Sequence, residues 1–138
     1  MLETALRDDA LAIASEGFEL RVGLPWIRSM PLSSVSAVAV EIDGVPVATD
    51  DLTVLLGSRA VSGAALQEER GWWFIQDRLV LAGGRTLPSG VHAVSVSFQL
   101  LVPYLQARPG SPLVLPFHLE ARLDTQRTPE GAASRDVA

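Results

Sequence analysis

The chain has 138 residues and a formal net charge of −5, with 48% hydrophobic and only 20% charged residues. It holds no cysteine, and all eleven of its basic residues are arginine. That excludes disulfides, thiolate metal sites, thiol nucleophiles and Schiff-base lysines. No run reaches the ~20 apolar residues of a membrane helix, and the acid-bearing start "MLETALRDD" does not read as a signal peptide. Without a basic patch, nucleic acid and anionic membrane are poor partners, and a cytoplasmic location is the default expectation. A domain of this size has much surface and few charges to cover it. The mean hydropathy of +0.27 therefore predicts that some apolar surface is buried against another chain.

In chain order, "ALAIA" (residues 10–14), the turn-like "SEG" and "FELRVGL" predict a hairpin, because Phe18, Leu20 and Val22 alternate with Glu19 and Arg21. "GLPWIRSMPLSSV", from Gly23 to Val35, interrupts the pattern with two prolines, a tryptophan and an arginine. "SVSAVAVEIDGVPV" resumes it. Val35, Ala37, Ala39 and Glu41 are expected on one face, and Val38, Val40 and Ile42 on the other. Asp43-Gly44 marks a tight turn back into Val45–Val47. "DDLTVLLGSRAV" reads as strand, Gly-Ser turn and return. "SGAALQEERG" is the one convincing helix, with Ser62 as N-cap, Gly71 as stop and a length of about two turns.

"WWFIQDRLVLAGG" gives a strand, a polar break and a second strand. "SGVHAVSVSFQLLVPYL" is expected to be the longest strand, with His92, Val94, Val96, Phe98 and Leu100 on one face. "SPLVLPFHLEARLD" closes the domain with Phe117, Leu119, Ala121 and Leu123 on the face opposite His118, Glu120 and Arg122, and Pro116 there suggests an edge strand or a bulge. The tail after residue 124 loses the apolar pattern. The expectation is thus an all-β fold, an antiparallel β-sandwich of nine to eleven short strands with at most one short helix. It forms one domain over residues 1–124, followed by a disordered tail over 125–138.

Chemistry is sparse. His118 and Glu120 share a strand face and could both reach one ion, but the plainer reading is a polar outer face. No G-x-S-x-G elbow occurs, and "AGGRTLPSG" leads into a strand, so it is a turn and no phosphate loop. The acid pairs Asp8-Asp9, Asp50-Asp51 and Glu68-Glu69 are neighbours in sequence, which point apart in a strand and so form no carboxylate dyads. They read as solvated ends of elements. What remains is an aromatic and arginine cluster: Trp26 and Arg28 in the loop, Trp72 and Trp73, and Tyr104. Trp, Tyr and Arg are the residue types of interface anchors, and Trp is also a platform for a sugar or a flat ring. Of the consecutive tryptophans, one is expected inward and one outward.

The stretch "GFELRVGLPWIRSMPLSSVSAVAVEIDGVPV", the "WWFIQDRLVL" segment, "LPSGVHAVSVSFQLLVPYL" and the C-terminal strand together resemble the small β subunit of bacterial C-glycoside deglycosidases, over about residues 10–123. The resemblance implies a hetero-oligomer. A TIM-barrel α subunit would hold a divalent metal, typically Mn2+, and none would be bound by this chain alone. The β subunit would be a sandwich lending a loop near the active site. The implied substrate is a 3-keto C-glycoside and the implied reaction a β-elimination across the C1–C bond, which makes the enzyme a lyase. Carried over to this sequence, it singles out Pro25, Trp26, Arg28, Ser29 and Pro31 and, more weakly, Tyr104, as residues that touch substrate or partner. It implies no catalytic or metal-ligating residue in this chain. The two prolines would fix a loop presenting Trp26 and Arg28 outward, with Arg28 facing an anionic phenolate or an acid of the α subunit. The alternatives are a stand-alone β-sandwich module that binds carbohydrate or aromatic glycoside, and a structural assembly protein.

Overall fold

Alternating apolar residues pair into sheets here because each strand can bury one face only by packing on another sheet. A computed structural model describes residues 5–26, 28–126 and 135–137. Among them are twelve strands: β1 Leu11–Ala14, β2 Gly17–Gly23, β3 Met30–Pro31, β4 Val35–Ile42, β5 Val45–Pro46, β6 Thr53–Leu56, β7 Arg59–Ser62, β8 Trp72–Trp73, β9 Asp77–Gly83, β10 Val91–Arg108, β11 Ser111–Asp124 and β12 Arg135–Asp136. One sheet has the order β1-β2-β9-β6-β7, with β12 also paired to β9; a second has the order β11-β10-β4-β5; β3 and β8 make a small third sheet. Every pairing is antiparallel except β12 with β9. The all-β antiparallel reading holds.

The core lies between the two large sheets. Phe18, Leu20 and Val22 of β2, Val54 and Leu56 of β6, and Leu79 and Leu81 of β9 face Val38, Val40 and Ile42 of β4, Val94, Val96, Phe98 and Leu100 of β10, and Leu119 and Leu123 of β11. Each fully buried side chain of this kind contributes about 1.5–3 kcal/mol relative to exposure. The β4–β5 turn has positive φ at both central residues, Asp43 (54°) and Gly44 (78°), which is the type I′ turn whose twist matches its strands. At the β1–β2 turn, Gly17 has φ 154° and lies so close to β9 that a Cβ would meet the Gly83 carbonyl oxygen at 1.9 Å.

Three expectations need correction. First, Val35 is fully buried with Val38, Val40 and Ile42, and does not share the outer face of Ala37 and Ala39. Between the pairs Ser97–Ala39 and Gln99–Ser36, β4 advances three residues against two of β10. The extra residue is a bulge at Ala37 (φ 54°), and it reverses the facing of everything before it. Second, the helix is a 3-10 helix over Ala64–Glu68 with Glu69 as its C-cap, so it stops short of Gly71. Ser62 does act at its start, its Oγ accepting the Ala65 N–H at 3.2 Å. Only Leu66 of this helix is buried, too small an apolar face to repay nucleation of a full α-helix. Third, not all strands are short: β10 has 18 residues and β11 has 14.

β11 is an edge strand, as Pro116 suggested. The backbone N–H and C=O of Ala93 bond to Asp43, on the β4 side of β10. The odd-numbered residues of β10 up to Gln99 therefore point their backbone groups away from β11. Pro116 pairs with Gln99, so its missing N–H falls on the free outer edge, where it costs no ladder bond and blunts strand addition. The expected disordered tail falls mostly outside the described residues. Of it, Arg135–Asp136 forms β12, and Val137 is buried, its N–H donating to the Arg78 carbonyl at 2.9 Å.

Candidate functional site

The Gly23–Val35 loop is built from the inside out. Leu24, Pro25, Met30, Leu32 and Ser34 are buried. They anchor a segment whose prolines already restrict the backbone. The loop is tied along its length to residues 71–75. Met30 pairs with Trp73 and Pro31 with Trp72. The Leu32 N–H donates to the Gly71 carbonyl at 3.0 Å, and the Ile75 N–H donates to Ser29 Oγ at 3.0 Å. Ser29 and Pro31 thus hold the loop to the neighbouring segment.

Trp26 is turned further inward than an outward-presenting loop implies. It is half-buried and packs edge-on to Phe117, with centroids 6.3 Å apart at 73°. Phe117 stacks on Phe98 at 5.5 Å, and Phe98 tilts against Trp73 at 5.7 Å. This row of four rings joins the loop to the β10–β11 hairpin and to the core, in geometries that aromatic pairs favour. Arg28 is exposed. Tyr104 falls in β10, and its side chain lies outside what the structure describes.

Of the two consecutive tryptophans, one points in and one out, as strand alternation requires. Trp73 is fully buried and its indole N–H donates to the Asp77 carbonyl at 3.2 Å. Trp72 is 47% exposed and stacks on Phe74, with centroids 6.5 Å apart. Phe74 and Ile75 are 43% and 54% exposed. These two belong to the surface and were missed by the sequence reading. The signal was present in the four consecutive apolar residues of "WWFI", which cannot all face inward from one extended segment. The result is a ledge of Trp72, Phe74 and Ile75 locked to the proline loop by the β3–β8 pairing and the Ser29 bond.

The other candidates are structural. His92 is buried between Asp43 Oδ2 at 2.6 Å from Nδ1 and the Pro88 carbonyl at 2.8 Å from Nε2. Two acceptors favour a ring protonated at both nitrogens. The hydrogen bond to Asp43, then that to Pro88, raises the His92 pKa above its ordinary 6.5. The same bond to His92, with the Ala93 N–H, lowers that of Asp43 below its ordinary 3.8. Arg85 reinforces this corner by donating to the carbonyls of Val45 and Pro46 at 3.1 and 2.7 Å. The clamp ties the β4–β5 turn to the connection before β10.

His118 contacts Ser97 Oγ at 3.0 Å and Glu120 Oε1 at 2.8 Å, both on the exposed outer face of the second sheet. With both ring nitrogens engaged and only one carboxylate beside it, this pair does not fit a metal ion. Among the described residues no group of three or more His, Asp or Glu could hold one. Glu41, Ser95, Glu120 and Arg122 line a shallow groove of about 380 Å³ on the same face. The adjacent acids form no dyads. Asp9 pairs with the buried Arg78 at 2.8 Å, Asp51 accepts the Gly84 N–H at 3.0 Å, and Glu69 pairs with Arg59. Asp9 is therefore part of a partly buried ion pair and no solvated end.

Among the described residues, the features that stand out on this all-β domain are an exposed aromatic ledge and the proline loop stapled to it. The comparisons give this domain a family. Residues 3–104, which include both loop and ledge, match the family described as C-glycoside deglycosidase beta subunit, and the chain belongs to that family. It is 29% identical over 126 residues to a 3'-dehydrocarminate deglycosidase beta subunit of Microbacterium sp, covering 90% of this chain and 95% of that one. Two C-glycoside deglycosidase beta subunits of Arthrobacter globiformis are each 34% identical, over 89 residues (62% of this chain, 68% of the relative) and over 100 residues (68% and 74%).

Proposed function

We propose that this chain is the small β subunit of a heteromeric C-glycoside deglycosidase and that it works in the cytoplasm on a TIM-barrel α subunit. The observation that carries the reading is the exposed ledge of Trp72, Phe74 and Ile75, locked to the Pro25–Pro31 loop, in a chain of a beta-subunit family. Apolar surface held this rigidly suits a permanent partner, whose interfaces resemble a core cut in half.

The reaction proposed for the complex is a β-elimination on a 3-keto C-glycoside, which makes it a carbon–carbon lyase. The ketone acidifies the C2 proton. A base removes it, the electron pair forms the C1–C2 double bond, and the aglycone carbon leaves with the electrons of the C1–C bond and takes up a proton. In this reading the base and the divalent metal, Mn2+, belong to the α subunit, as the family resemblance implies. This chain supplies a preformed loop. Pro25 and Pro31 hold its course, Ser29 staples it, Trp26 packs its inner side and Arg28 stands exposed. Arg28 would face an anionic phenolate of the aglycone or an acid of the α subunit.

The test is co-expression with an isomerase-like TIM-barrel chain, followed by an assay with Mn2+ on a 3-keto C-glycoside. Aglycone release that requires both chains is the expected result. A chain that stays monomeric, takes no partner and binds glycoside alone would sink the proposal in favour of a stand-alone binding module.

A further inference from the structure

We infer that Trp72, Phe74 and Ile75 are the anchor of the partner-subunit interface, and that the partner covers them with an apolar surface rimmed by carboxylates. The inference rests on the subunit reading above and gives it a location.

Three observations carry it. The first is exposure. The three side chains are 47%, 43% and 54% accessible and occupy one short segment; elsewhere among the described residues the exposed large apolar side chains are scattered, apart from the cross-strand pair Leu101 and Val114. The second is rigidity. Trp72 pairs with Pro31, the Asp77 N–H donates to the Phe74 carbonyl at 2.9 Å, and the Ile75 N–H donates to Ser29 Oγ at 3.0 Å. The neighbouring Trp73 is buried and bonded to Asp77. Little ordering remains to be done on binding, which is the condition for an efficient anchor. The third is charge. The chain carries −5 overall, yet "RGWWFIQ" (70–76) and "GLPWIRSMPLSSV" (23–35) contain no acid, and their charged residues are Arg70 and Arg28. Both are exposed. Exposed arginines in the two paired segments that carry the aromatic and aliphatic residues give the composition of an interface patch, and its complement is acidic.

A small ligand fits the ledge less well. Sugars and glycosides need several placed donors and acceptors in a concave site, and on these three side chains the Trp72 indole N–H is the one polar group. A macromolecular surface needs no such pattern.

The test measures affinity of the full chain for its co-purified partner, by surface-immobilised titration after separation. Trp72→Ser, Phe74→Ser and Ile75→Asp alter exposed side chains. Val45→Asp and Val91→Asp serve as controls, since those residues are 55% and 54% exposed on β5 and at the start of β10. At least one ledge variant is expected to weaken the complex by about thirtyfold or more, the loss of an interface anchor. The controls should stay within about twofold. Arg28→Glu with Arg70→Glu should slow association and flatten its salt dependence. Oxidative footprinting of the wild-type complex needs no substitution, and Trp72, Phe74 and Ile75 should lose reactivity when the partner binds.

If the wild type forms the complex but the ledge variants bind equally well and the ledge stays reactive, this inference fails while the subunit reading stands. If the wild type binds no partner, the subunit reading fails and the docking surface falls with it. If the lone chain binds a C-glycoside and Trp72→Ser removes that binding, the ledge is a ligand platform and the inference is overturned.

Discussion

Trp72 and Trp73 are neighbours of identical chemistry, and the fold gives them opposite roles, so truncating each in turn tests the architecture directly. Trp73 has no accessible surface, packs against Phe98 at 5.7 Å and donates its indole N–H to the Asp77 carbonyl at 3.2 Å. Removing a fully buried tryptophan side chain costs about 3–5 kcal/mol. At about 2.1 cal/mol/K of unfolding entropy per residue, 138 residues give about 0.29 kcal/mol/K, or about 3.5 °C per kcal/mol. Trp73→Ala should therefore lower Tm by about 10–17 °C. Trp73→Phe refills most of the volume but removes the indole N–H that donates to the Asp77 carbonyl, for an expected loss of about 1–3 kcal/mol. Trp72→Ala removes a half-exposed side chain and should stay within about 0.5 kcal/mol, or about 2 °C. Thermal melts followed by far-UV circular dichroism check all three. A Trp73→Ala shift below about 5 °C, or a Trp72→Ala shift as large as that of Trp73→Ala, would refute the inside–outside assignment of β8 and the ledge built on it.

Gly17→Ala should destabilise by more than about 3 kcal/mol, because the new Cβ would meet the Gly83 carbonyl oxygen at 1.9 Å; soluble yield and Tm report it. The His92–Asp43 clamp should make stability depend on pH from both sides. Its His92 part is fully present below 6.5 and is lost as pH rises through the raised folded pKa, while its Asp43 part is present above 3.8 and is lost as pH falls through the lowered one. NMR titration should place the His92 midpoint above 6.5, and a midpoint below that value would reject the doubly bonded ring. Under the proposed function, if Arg28 faces the aglycone phenolate, Arg28→Ala should lower kcat of the assembled complex by at least about tenfold. If Arg28 meets the partner, affinity falls instead and kcat is kept.

Local rules carried far in this chain because most of it is made of two-faced strands. The alternation in β2, β10 and β11 grouped Phe18, Leu20 and Val22, then Val94, Val96 and Phe98, then Phe117, Leu119, Ala121 and Leu123 on shared faces, and all are buried except Phe117 and Ala121, which are half-buried. Asp43-Gly44 marked its turn because few other residue pairs adopt positive φ twice. The same rule failed at Val35. One extra residue at Ala37 reverses facing, and an alanine in the left-handed region has no sequence signature as strong as a glycine. It failed again at residues 62–71, where good helix formers settle into a 3-10 helix because only Leu66 has a core to join.

The candidate site divides along the same line. Its residue types, proline, tryptophan and arginine in a loop between strands, were visible in the chain itself, and so was the family those motifs resemble. That Trp26 leans on Phe117, that Ser29 bonds to Ile75 and that Phe74 and Ile75 remain outside were decided by the tertiary structure. The physical reason is range. Turn type and strand alternation follow from dihedrals and side chains within a few residues. Whether an apolar side chain ends up covered depends on what arrives from elsewhere, here the pairing of residues 30 and 31 with 72 and 73, which brings Trp73 under the loop and leaves Trp72 above it.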